Sequence, residues 1–324
     1  MYTLKQVIEI IDKSLKDYDL DYEPKNLYEP ISYLLSIGGK RIRPAMTLLS
    51  CNLFSDSIDN AIFPALGIEI FHNFTLMHDD IMDNSPMRRN YPTVHTKWNT
   101  NTALLSGDLM CILSFQLITK TIPVILPQIT DTFTKAAIDV CQGQQYDMEF
   151  EQRINVSEDE YIKMISLKTA ALLAASFKIG AIVGRAALKD QENLYQVGKN
   201  IGIAFQLQDD LLDTFGNEAI FGKKIGNDII NNKKTYLLIS ALKDSNKNTK
   251  KELTQWLTKT EFDPEEKIKH IVSIYESLNI KTKTVTLINE YINKALSSLE
   301  LVETDNNRKY EIYYFINQLK DRIK

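Results

Sequence analysis

The chain has 324 residues, a net charge of −4, 44% hydrophobic and 25% charged residues, which is typical of a globular protein. Acidic and basic residues are interspersed, so we expect no nucleic-acid partner. The cysteines Cys51, Cys111 and Cys141 stand among apolar residues in no paired spacing, which favours free thiols in a reducing compartment. No secretory signal is recognisable and no uncharged stretch could span a bilayer, so we expect no transmembrane segment and a cytoplasmic protein.

Apolar residues recur at helical spacing along most of the chain, whereas strand-like alternation is nearly absent. Only 12 glycines and 9 prolines occur, which favours long helices with few tight turns. In chain order, helices are predicted over residues 4–17, 25–37, 43–54, 59–83, 101–120, 128–152, 158–186, 190–214, 234–243, 247–258, 264–278, 281–303 and 307–322. The prediction is therefore one all-α domain over residues 1–324.

Three breaks interrupt the helical pattern, and all three are rich in lysine or arginine. They are GGKRIRP at 38–44, NSPMRRNYPTVHTKWN at 84–99 and GNEAIFGKKIGNDIINNKK at 216–234. In the first break, Lys40, Arg41 and Arg43 follow a glycine pair at a helix start, which is a suitable place to receive an anion.

Two of the predicted helices, 59–83 and 190–214, each carry one ordered row of polar residues. The rows are Glu69, His72, Asp79 and Asp83, and then Lys199, Gly202, Gln206, Asp209 and Asp213. Spacings of three and four place such residues on one side of a helix. Both rows end in the same carboxylate pattern, with Asp79, Asp80 and Asp83 in the first helix and Asp209, Asp210 and Asp213 in the second.

The two aspartate patterns predict binding of a hard divalent cation. Two carboxylates four residues apart on a helix lie about 6 Å apart along its axis and repel each other unless a cation lies between them. Mg²⁺ is usually held by a few carboxylates and waters, and no cysteine or histidine cluster indicates zinc. Basic residues that could face a phosphate follow each pattern, namely Arg88 and Arg89, and then Lys223, Lys224, Lys233 and Lys234. Lys168 interrupts an apolar helix, where a lysine needs an anionic partner.

Six segments, in this order, resemble the motifs of the trans-isoprenyl diphosphate synthases, or polyprenyl synthetases. They are GGKRIRP at 38–44, HNFTLMHDDIMDNSPMRR at 72–89, GQQYDMEFE at 143–151, Lys168 with the following TAAL, GIAFQLQDDLLDTFG at 202–216 and GKKIGNDIINNKKT at 222–235. The likeness covers nearly the whole chain, and six motifs in the correct order are specific. It implies an all-α isoprenoid-synthase bundle around a central apolar cavity, usually a homodimer.

The resemblance also implies roles for individual residues. Catalysis would rest on Asp79, Asp80, Asp83, Lys168, Asp209 and Asp210, and about three Mg²⁺ ions would be held by Asp79, Asp83, Asp209 and Asp213. The diphosphate of an allylic substrate would be bound by Arg88, Lys168, Thr169, Gln206, Lys223 and Lys233. That of isopentenyl diphosphate would be bound by Lys40, Arg43, His72 and Arg89. The chain departs from the family pattern at two places in the last loop. The family often has Glu-Gly where this chain has Asn231-Asn232, and proline soon after the threonine where it has Tyr236-Leu237. Both departures concern closure of this loop.

The implied reaction ionises the allylic C–O bond of dimethylallyl, geranyl or farnesyl diphosphate, and the double bond of isopentenyl diphosphate then attacks the cation. Phe74 precedes Asp79 by five residues, about 7.5 Å along the helix, and resembles the floor of the cavity in short-chain members; Phe71 lies about 12 Å from Asp79. The following Thr75 is small, whereas many farnesyl-specific relatives have a second aromatic there. The resemblance therefore implies geranylgeranyl diphosphate (C20) as the product, with farnesyl diphosphate (C15) as second choice.

Three other functions are considered. A terpene cyclase would share the fold and the metal chemistry but would not need the second diphosphate pocket that GGKRIRP and Arg89 supply. A non-catalytic subunit of a heteromeric prenyltransferase would have lost aspartates, and here all six remain. A metal-dependent phosphohydrolase is suggested only by the dyad His78-Asp79, and His78 is expected instead to pack or to form a hydrogen bond beside the motif. Residues 244–324 carry no motif.

Overall fold

The computed structural model describes residues 1–216 and 225–321. Nearly all of the regular structure in these ranges is helical, which confirms the predicted all-α class. The helices are α1 Leu4–Lys16, α2 Lys25–Ser36, α3 Ile42–Asn52, α4 Asp59–Met82, α5 Val94–Lys97, α6 Thr100–Thr119, α7 Leu126–Gln152, α8 Glu158–Ile165, α9 Ala171–Val183, α10 Leu188–Phe215, α11 Asn227–Ile230, α12 Tyr236–Asp244, α13 Lys247–Thr258, α14 Pro264–Ser277, α15 Ile280–Glu300 and α16 Tyr310–Asp321. A two-stranded ladder, β1 Met87–Arg88 and β2 Tyr91–Pro92, lies in the second basic break.

The chain forms two compact units. Unit 1 comprises Met1–Lys135, Ala175–Tyr195 and Leu301–Ile312. Unit 2 comprises Ala136–Ala174, Gln196–Glu300 and Tyr313–Lys324. The first aspartate-rich motif and GGKRIRP belong to unit 1, whereas Lys168 and the second aspartate-rich motif belong to unit 2.

Helix α4 is the central helix of unit 1, where it packs against α1, α2, α3, α5 and α6. Its sequence is apolar around most of its circumference, as expected of a helix surrounded by other helices. The close approach to α6 requires Gly67, because a Cβ there would lie 2.9 Å from the carbonyl oxygen of Ser114. This packing fixes the direction in which α4 presents the aspartates at its C-terminal end.

In unit 2, the helix predicted over 158–186 is interrupted by one π-helical turn, Ser166–Ala170, between α8 and α9. Two glycines let neighbouring helices approach this turn closely. A Cβ at Gly143 of α7 would meet the backbone of Lys168, and a Cβ at Gly202 of α10 would lie 2.5 Å from the Cα of Ala170. The turn carries Lys168 and Thr169, and π-helical turns are frequent at functional sites.

Two helical stretches, Thr100–Thr119 and Glu158–Val183, are long and apolar enough to cross a membrane by length and composition alone. In the second stretch, 72% of the apolar window is buried inside the fold, as in a core helix. The corresponding fraction in the first is 39%, so α6 keeps an apolar face on the surface.

Candidate active site

The first aspartate-rich motif ends helix α4, and its carboxylates differ in their surroundings. Asp80 is buried, and Arg88 donates to both of its oxygens, with Nε 2.8 Å from Oδ2 and a terminal nitrogen 2.7 Å from Oδ1. Asp79 Oδ2 lies 3.9 Å from the same guanidinium, and Asp83 follows the last helical residue on the surface. Burial raises the pKa of Asp80 above its ordinary value, although the bonds from Arg88 offset part of this effect. Asp80 therefore holds Arg88, whereas Asp79 and Asp83 are the more accessible carboxylates.

The small ladder after this motif positions the two arginines. Arg88 of β1 pairs with Tyr91 of β2, and the two residues between them, Arg89 and Asn90, have φ values of 52° and 65°. Left-handed conformations at both central positions are typical of the type I′ turn, whose twist matches that of a hairpin. The turn sends Arg88 back to Asp80 and places Arg89 beside the GGKRIRP segment.

GGKRIRP forms a turn before α3, with positive φ at Gly38 (85°) and Arg41 (48°). A Cβ at Gly39 would lie 2.9 Å from a terminal nitrogen of Arg89, so this glycine lets the guanidinium lie against the turn. The Arg43 guanidinium lies 3.3 Å from His72 Nε2. Burial, followed by the charges of Arg43 and Arg89, lowers the pKa of His72 well below its ordinary value, so the ring is neutral. Thus Arg43 and Arg89 form one cationic cluster around the neutral ring of His72, with Arg89 against Gly39.

Arg41 differs from the prediction that Lys40, Arg41 and Arg43 together receive an anion. Its Nη1 donates to Glu69 Oε1 at 2.6 Å, its Nε to Asp12 Oδ1 at 3.0 Å and its Nη2 to the Leu35 carbonyl oxygen at 3.0 Å. The side chains of Arg41 and Glu69 are each only 4% exposed. The expectation that Arg41 helps to receive an anion is wrong, because its guanidinium is directed into unit 1 and neutralises Glu69.

Aromatic rings line the face of α4 that precedes the motif. The ring centroid of Phe71 lies 5.3 Å from those of both Phe74 and Phe133, and the centroids of Phe133 and Phe115 lie 5.0 Å apart. Phe74 also contacts the ring of His78 at 4.8 Å. The Nε2 atom of His78 lies 3.1 Å from the carbonyl oxygen of Leu104, as the sequence prediction of a packed or hydrogen-bonded ring requires. This geometry gives no support to a metal-ligating His78.

In unit 2, Lys168 has the anionic partner that its place in an apolar helix requires. Its Nζ lies 2.6 Å from Asp147 Oδ2. Burial raises the pKa of Asp147, but the charges of Lys168 and Lys233 and the Lys168 hydrogen bond outweigh this effect and lower the pKa below its ordinary value. Asp147 lies in the predicted motif at 143–151 but was not among the predicted site residues. The sequence did contain a signal for this pair, because Asp147 lies in a motif and a lysine in an apolar helix needs an anionic partner.

A chain of hydrogen bonds links three other predicted residues of unit 2, Thr169, Gln206 and Asp210. Thr169 donates to Gln206 Oε1 at 2.9 Å, and Gln206 donates to Asp210 Oδ1 at 3.0 Å. The hydroxyl of Tyr161, which was not predicted, donates to Asp210 Oδ2. Burial and the charge of Asp228 raise the pKa of Asp210 to about 7, against the opposing hydrogen bonds from Tyr161 and Gln206. Asp210 is thus held by its neighbours, while Asp209 of the same motif is only half-buried.

The first residues of the loop at 225–235 are hydrogen-bonded to Asp213 of the second aspartate-rich motif. The backbone N–H of Asp228 donates to Asp213 Oδ2 at 2.9 Å, and that of Gly226 donates to the Asp213 carbonyl oxygen at 2.6 Å. Lys233 follows in this loop, and its charge lowers the pKa of both Asp147 and Asp210. Lys223, predicted to bind the allylic diphosphate together with Lys233, lies outside the described residues. Lys40, predicted to bind isopentenyl diphosphate, lies in the GGKRIRP turn.

The donor atoms suit Mg²⁺ better than a transition metal. Within residues 1–216 and 225–321, no group of three or more His, Cys, Asp or Glu side chains forms a ready cage for a metal ion. Mg²⁺ is usually bound through one or two carboxylates together with waters and the phosphates of a substrate. Asp79 with Asp83, and Asp209 with Asp213, offer such oxygen-only pairs, and a carboxylate that accepts one N–H keeps further lone pairs.

Comparisons with known proteins agree with the six motifs. The sequence pattern of the polyprenyl synthetase family matches residues 24–275. The short chain isoprenyl diphosphate synthase of Methanocaldococcus jannaschii is 40% identical over 271 residues, which cover 83% of this chain and 82% of the relative. The geranylgeranyl diphosphate synthase of Sulfolobus acidocaldarius is 41% identical over 251 residues, 76% of each chain. A crystal structure of a geranylgeranyl pyrophosphate synthase superimposes with a TM-score of 0.94 at 38% identity over 99% of both chains.

Proposed function

Since the chain belongs to the polyprenyl synthetase family and is a trans-prenyltransferase, we propose that it adds isopentenyl diphosphate to an allylic diphosphate and releases mainly geranylgeranyl diphosphate. The observation that carries the proposal is the pair of intact aspartate-rich motifs, each accompanied by its own cationic cluster. Two clusters fit two diphosphate-bearing substrates, whereas a terpene cyclase would need one.

The residues of unit 2 are suited to the allylic diphosphate. Lys168 and Lys233 supply positive charge, while Thr169 and Gln206 are fixed by their mutual hydrogen bond. Fixed cationic and polar groups stabilise the negative charge that develops on a departing diphosphate without the cost of reorganisation. Arg88, whose guanidinium is held by Asp80, is proposed to bind diphosphate as well. Isopentenyl diphosphate would be bound by Arg43, Arg89, His72 and Lys40, with His72 as a neutral donor or acceptor.

The metal ligands are proposed to be Asp79, Asp83, Asp209 and Asp213, for about three Mg²⁺ ions. Bound Mg²⁺ would neutralise charge on the diphosphate leaving group. Asp80 and Asp210 would act by orienting Arg88 and Gln206, because both carboxylates are already engaged in the structure. An apolar cavity for the growing chain would exclude water, which would otherwise quench the allylic cation.

The experiment that tests the function is product analysis after incubation with Mg²⁺, isopentenyl diphosphate and dimethylallyl, geranyl or farnesyl diphosphate. We expect a C20 diphosphate that is no longer formed in the presence of EDTA. Cyclic or hydrolysed products without elongation would contradict the proposal in favour of a cyclase. No conversion of any primer would contradict it in favour of a subunit that needs a partner.

Product length is proposed to depend on Phe74, which stands between Phe71 and His78 in the aromatic row of α4. Replacing Phe74 by alanine removes the ring and opens space below Asp79, so we expect products longer than C20 by at least one five-carbon unit. Chromatography of the dephosphorylated products measures this change. Phe63→Ala is the matched control, because Phe63 is an exposed aromatic of the same helix. An unchanged product from Phe74→Ala would exclude a floor at this position.

A homodimer is proposed from the surface of α6. Leu105 and Ile112, seven residues apart and so on one face, are 59% and 65% exposed. Apolar side chains repeated along one helix face are typical of a surface covered by a partner. We propose that a second copy of this chain covers it, as the family resemblance implies.

Replacing Ile112 by glutamate is expected to raise the dissociation constant of the dimer by about 100-fold or more, because an unpaired charge would be buried. Sedimentation velocity over a range of protein concentrations measures the change. Val124→Glu serves as the control, since Val124 is 76% exposed and lies outside α6. If Ile112→Glu and the parent protein sediment alike, this face is not the interface.

Residues 1–324 are proposed to form one polyprenyl synthetase domain, because the family match at 24–275 includes residues of both units. A cytoplasmic location is proposed because Cys51, Cys111 and Cys141 are free thiols, as expected in a reducing compartment.

A further inference from the structure

Lys267 is a buried lysine that lies outside the six family motifs. It lies on α14, and its side chain is 0% exposed. Its Nζ donates to the carbonyl oxygen of Ile230 at 3.1 Å and to Asn232 Oδ1 at 2.7 Å, and the third direction faces the ring of Phe262, 4.2 Å from the centroid. Lys267 forms no ion pair with any carboxylate of the described residues. A buried cation held only by neutral groups is costly, and burial accordingly lowers its pKa.

The groups that hold Lys267 belong to the 225–235 loop. Asn232 has a φ of 55°, the left-handed region that glycine adopts most readily, and its side-chain nitrogen donates to the Leu257 carbonyl oxygen at 3.2 Å. Asparagine adopts the same conformation here, and its amide connects the loop to α13 and to Lys267 of α14.

The same helix fixes the other end of the loop. Gly226 has a φ of 85°, and a Cβ there would lie 2.5 Å from Cδ1 of Ile268, the residue after Lys267. The loop is therefore attached to α14 at Gly226, Ile230 and Asn232. The residue that follows Asn232 is Lys233, whose charge acts on Asp147 and Asp210. Its backbone N–H donates to the Asp228 carbonyl oxygen at 2.9 Å.

We propose that Lys267 is a positioning residue, which fixes the 225–235 loop through Asn232 and so holds Lys233 in place for the diphosphate of the allylic substrate. The inference rests on the proposed function of Lys233 and extends it to helices α13 and α14, for which the sequence has no motif. Lys267 is nearly the same length as methionine, so Lys267→Met removes the hydrogen bonds while filling the same space.

Steady-state kinetics with each substrate varied in turn tests the proposal. For Lys267→Met we expect kcat/KM for the allylic diphosphate to fall about tenfold, as for a weakened hydrogen bond to a charged group, with KM for isopentenyl diphosphate nearly unchanged. In a Lys233→Ala background, Lys267→Met should cause no further fall. Lys269→Met is the matched control, because Lys269 is an exposed lysine of the same helix and should behave as the parent protein.

Two outcomes would overturn the proposal. One is a fall in kcat/KM that adds fully to that of Lys233→Ala; the other is a lowered melting temperature with unchanged kinetics, which would make Lys267 purely structural. If Lys267→Met does not fold, Asn232→Gly keeps the positive φ, removes the acceptor and should show the same selective loss for the allylic substrate. If the parent protein elongates no primer, the proposed function is wrong. If the parent protein is active and Lys267→Met shows no selective loss for the allylic substrate, only the positioning role of Lys267 is wrong.

Discussion

Replacing Asp79 by asparagine is expected to lower kcat/KM by about three orders of magnitude, because a proposed Mg²⁺ ligand and its negative charge would be lost together. Asp79 is more accessible than its neighbour Asp80, which is occupied by Arg88. The same fall is expected for Asp209→Asn, the equivalent position of the second motif. The initial rate of isopentenyl incorporation, measured over a range of Mg²⁺ concentrations, reports both effects.

Combining the two substitutions shows whether the motifs serve one reaction. Residues that act as a unit in catalysis are strongly non-additive, so the double variant should be little slower than either single one. Asp108→Asn is the control, because Asp108 is an exposed aspartate of unit 1 and should leave the rate unchanged. An Asp79→Asn enzyme with near-normal activity and unaltered Mg²⁺ dependence would exclude Asp79 as a metal ligand.

Replacing Glu69 by alanine is expected to lower the free energy of unfolding by about 3–5 kcal/mol, because Arg41 would keep a buried charge without its main partner. The two side chains meet at 2.6 Å and are equally inaccessible to water. Chemical denaturation with urea, followed by circular dichroism, measures the change. Glu9→Ala breaks the exposed pair of Lys5 and Glu9 and should cost less than about 1 kcal/mol.

The double variant Arg41→Met/Glu69→Leu separates loss of the pair from burial of a lone charge. Replacing a buried ion pair by apolar residues of similar volume is often nearly neutral, so the double variant should recover most of the stability lost in Glu69→Ala. A small effect of Glu69→Ala, comparable to that of Glu9→Ala, would show that water or Asp12 compensates for the missing carboxylate.

The family match confirms the inference drawn from the six motifs, and the helical content confirms the all-α class. Most predicted helix bounds differ from those observed by a few residues at most, as for α4 and α7. These features depend on spacing within one segment, because the period of 3.6 residues decides which side chains share a face. The aspartate patterns could be identified for the same reason, since repulsion between carboxylates four apart is a local property.

The structure decided how the charged residues pair. Arg41 and Arg43 are two positions apart in one basic segment, yet Arg41 is buried against Glu69, whereas Arg43 contacts His72. Nothing in the spacing distinguishes them, because the partner of each comes from another helix. Asp147 could have been proposed as the counter-ion of Lys168, but Tyr161 and Lys267 could not have been linked to Asp210 and Asn232.

The sequence by itself therefore determined the helical fold class, the two aspartate-rich motifs and the family, since all three depend on the spacing of residues within single segments of the chain. Tertiary structure alone decided the π-helical turn at Ser166–Ala170, because close packing at Gly143 and Gly202 acts on it from other helices. It also decided which buried cation has which partner. Such pairings depend on distances between segments far apart in the chain, and a local pattern does not contain them.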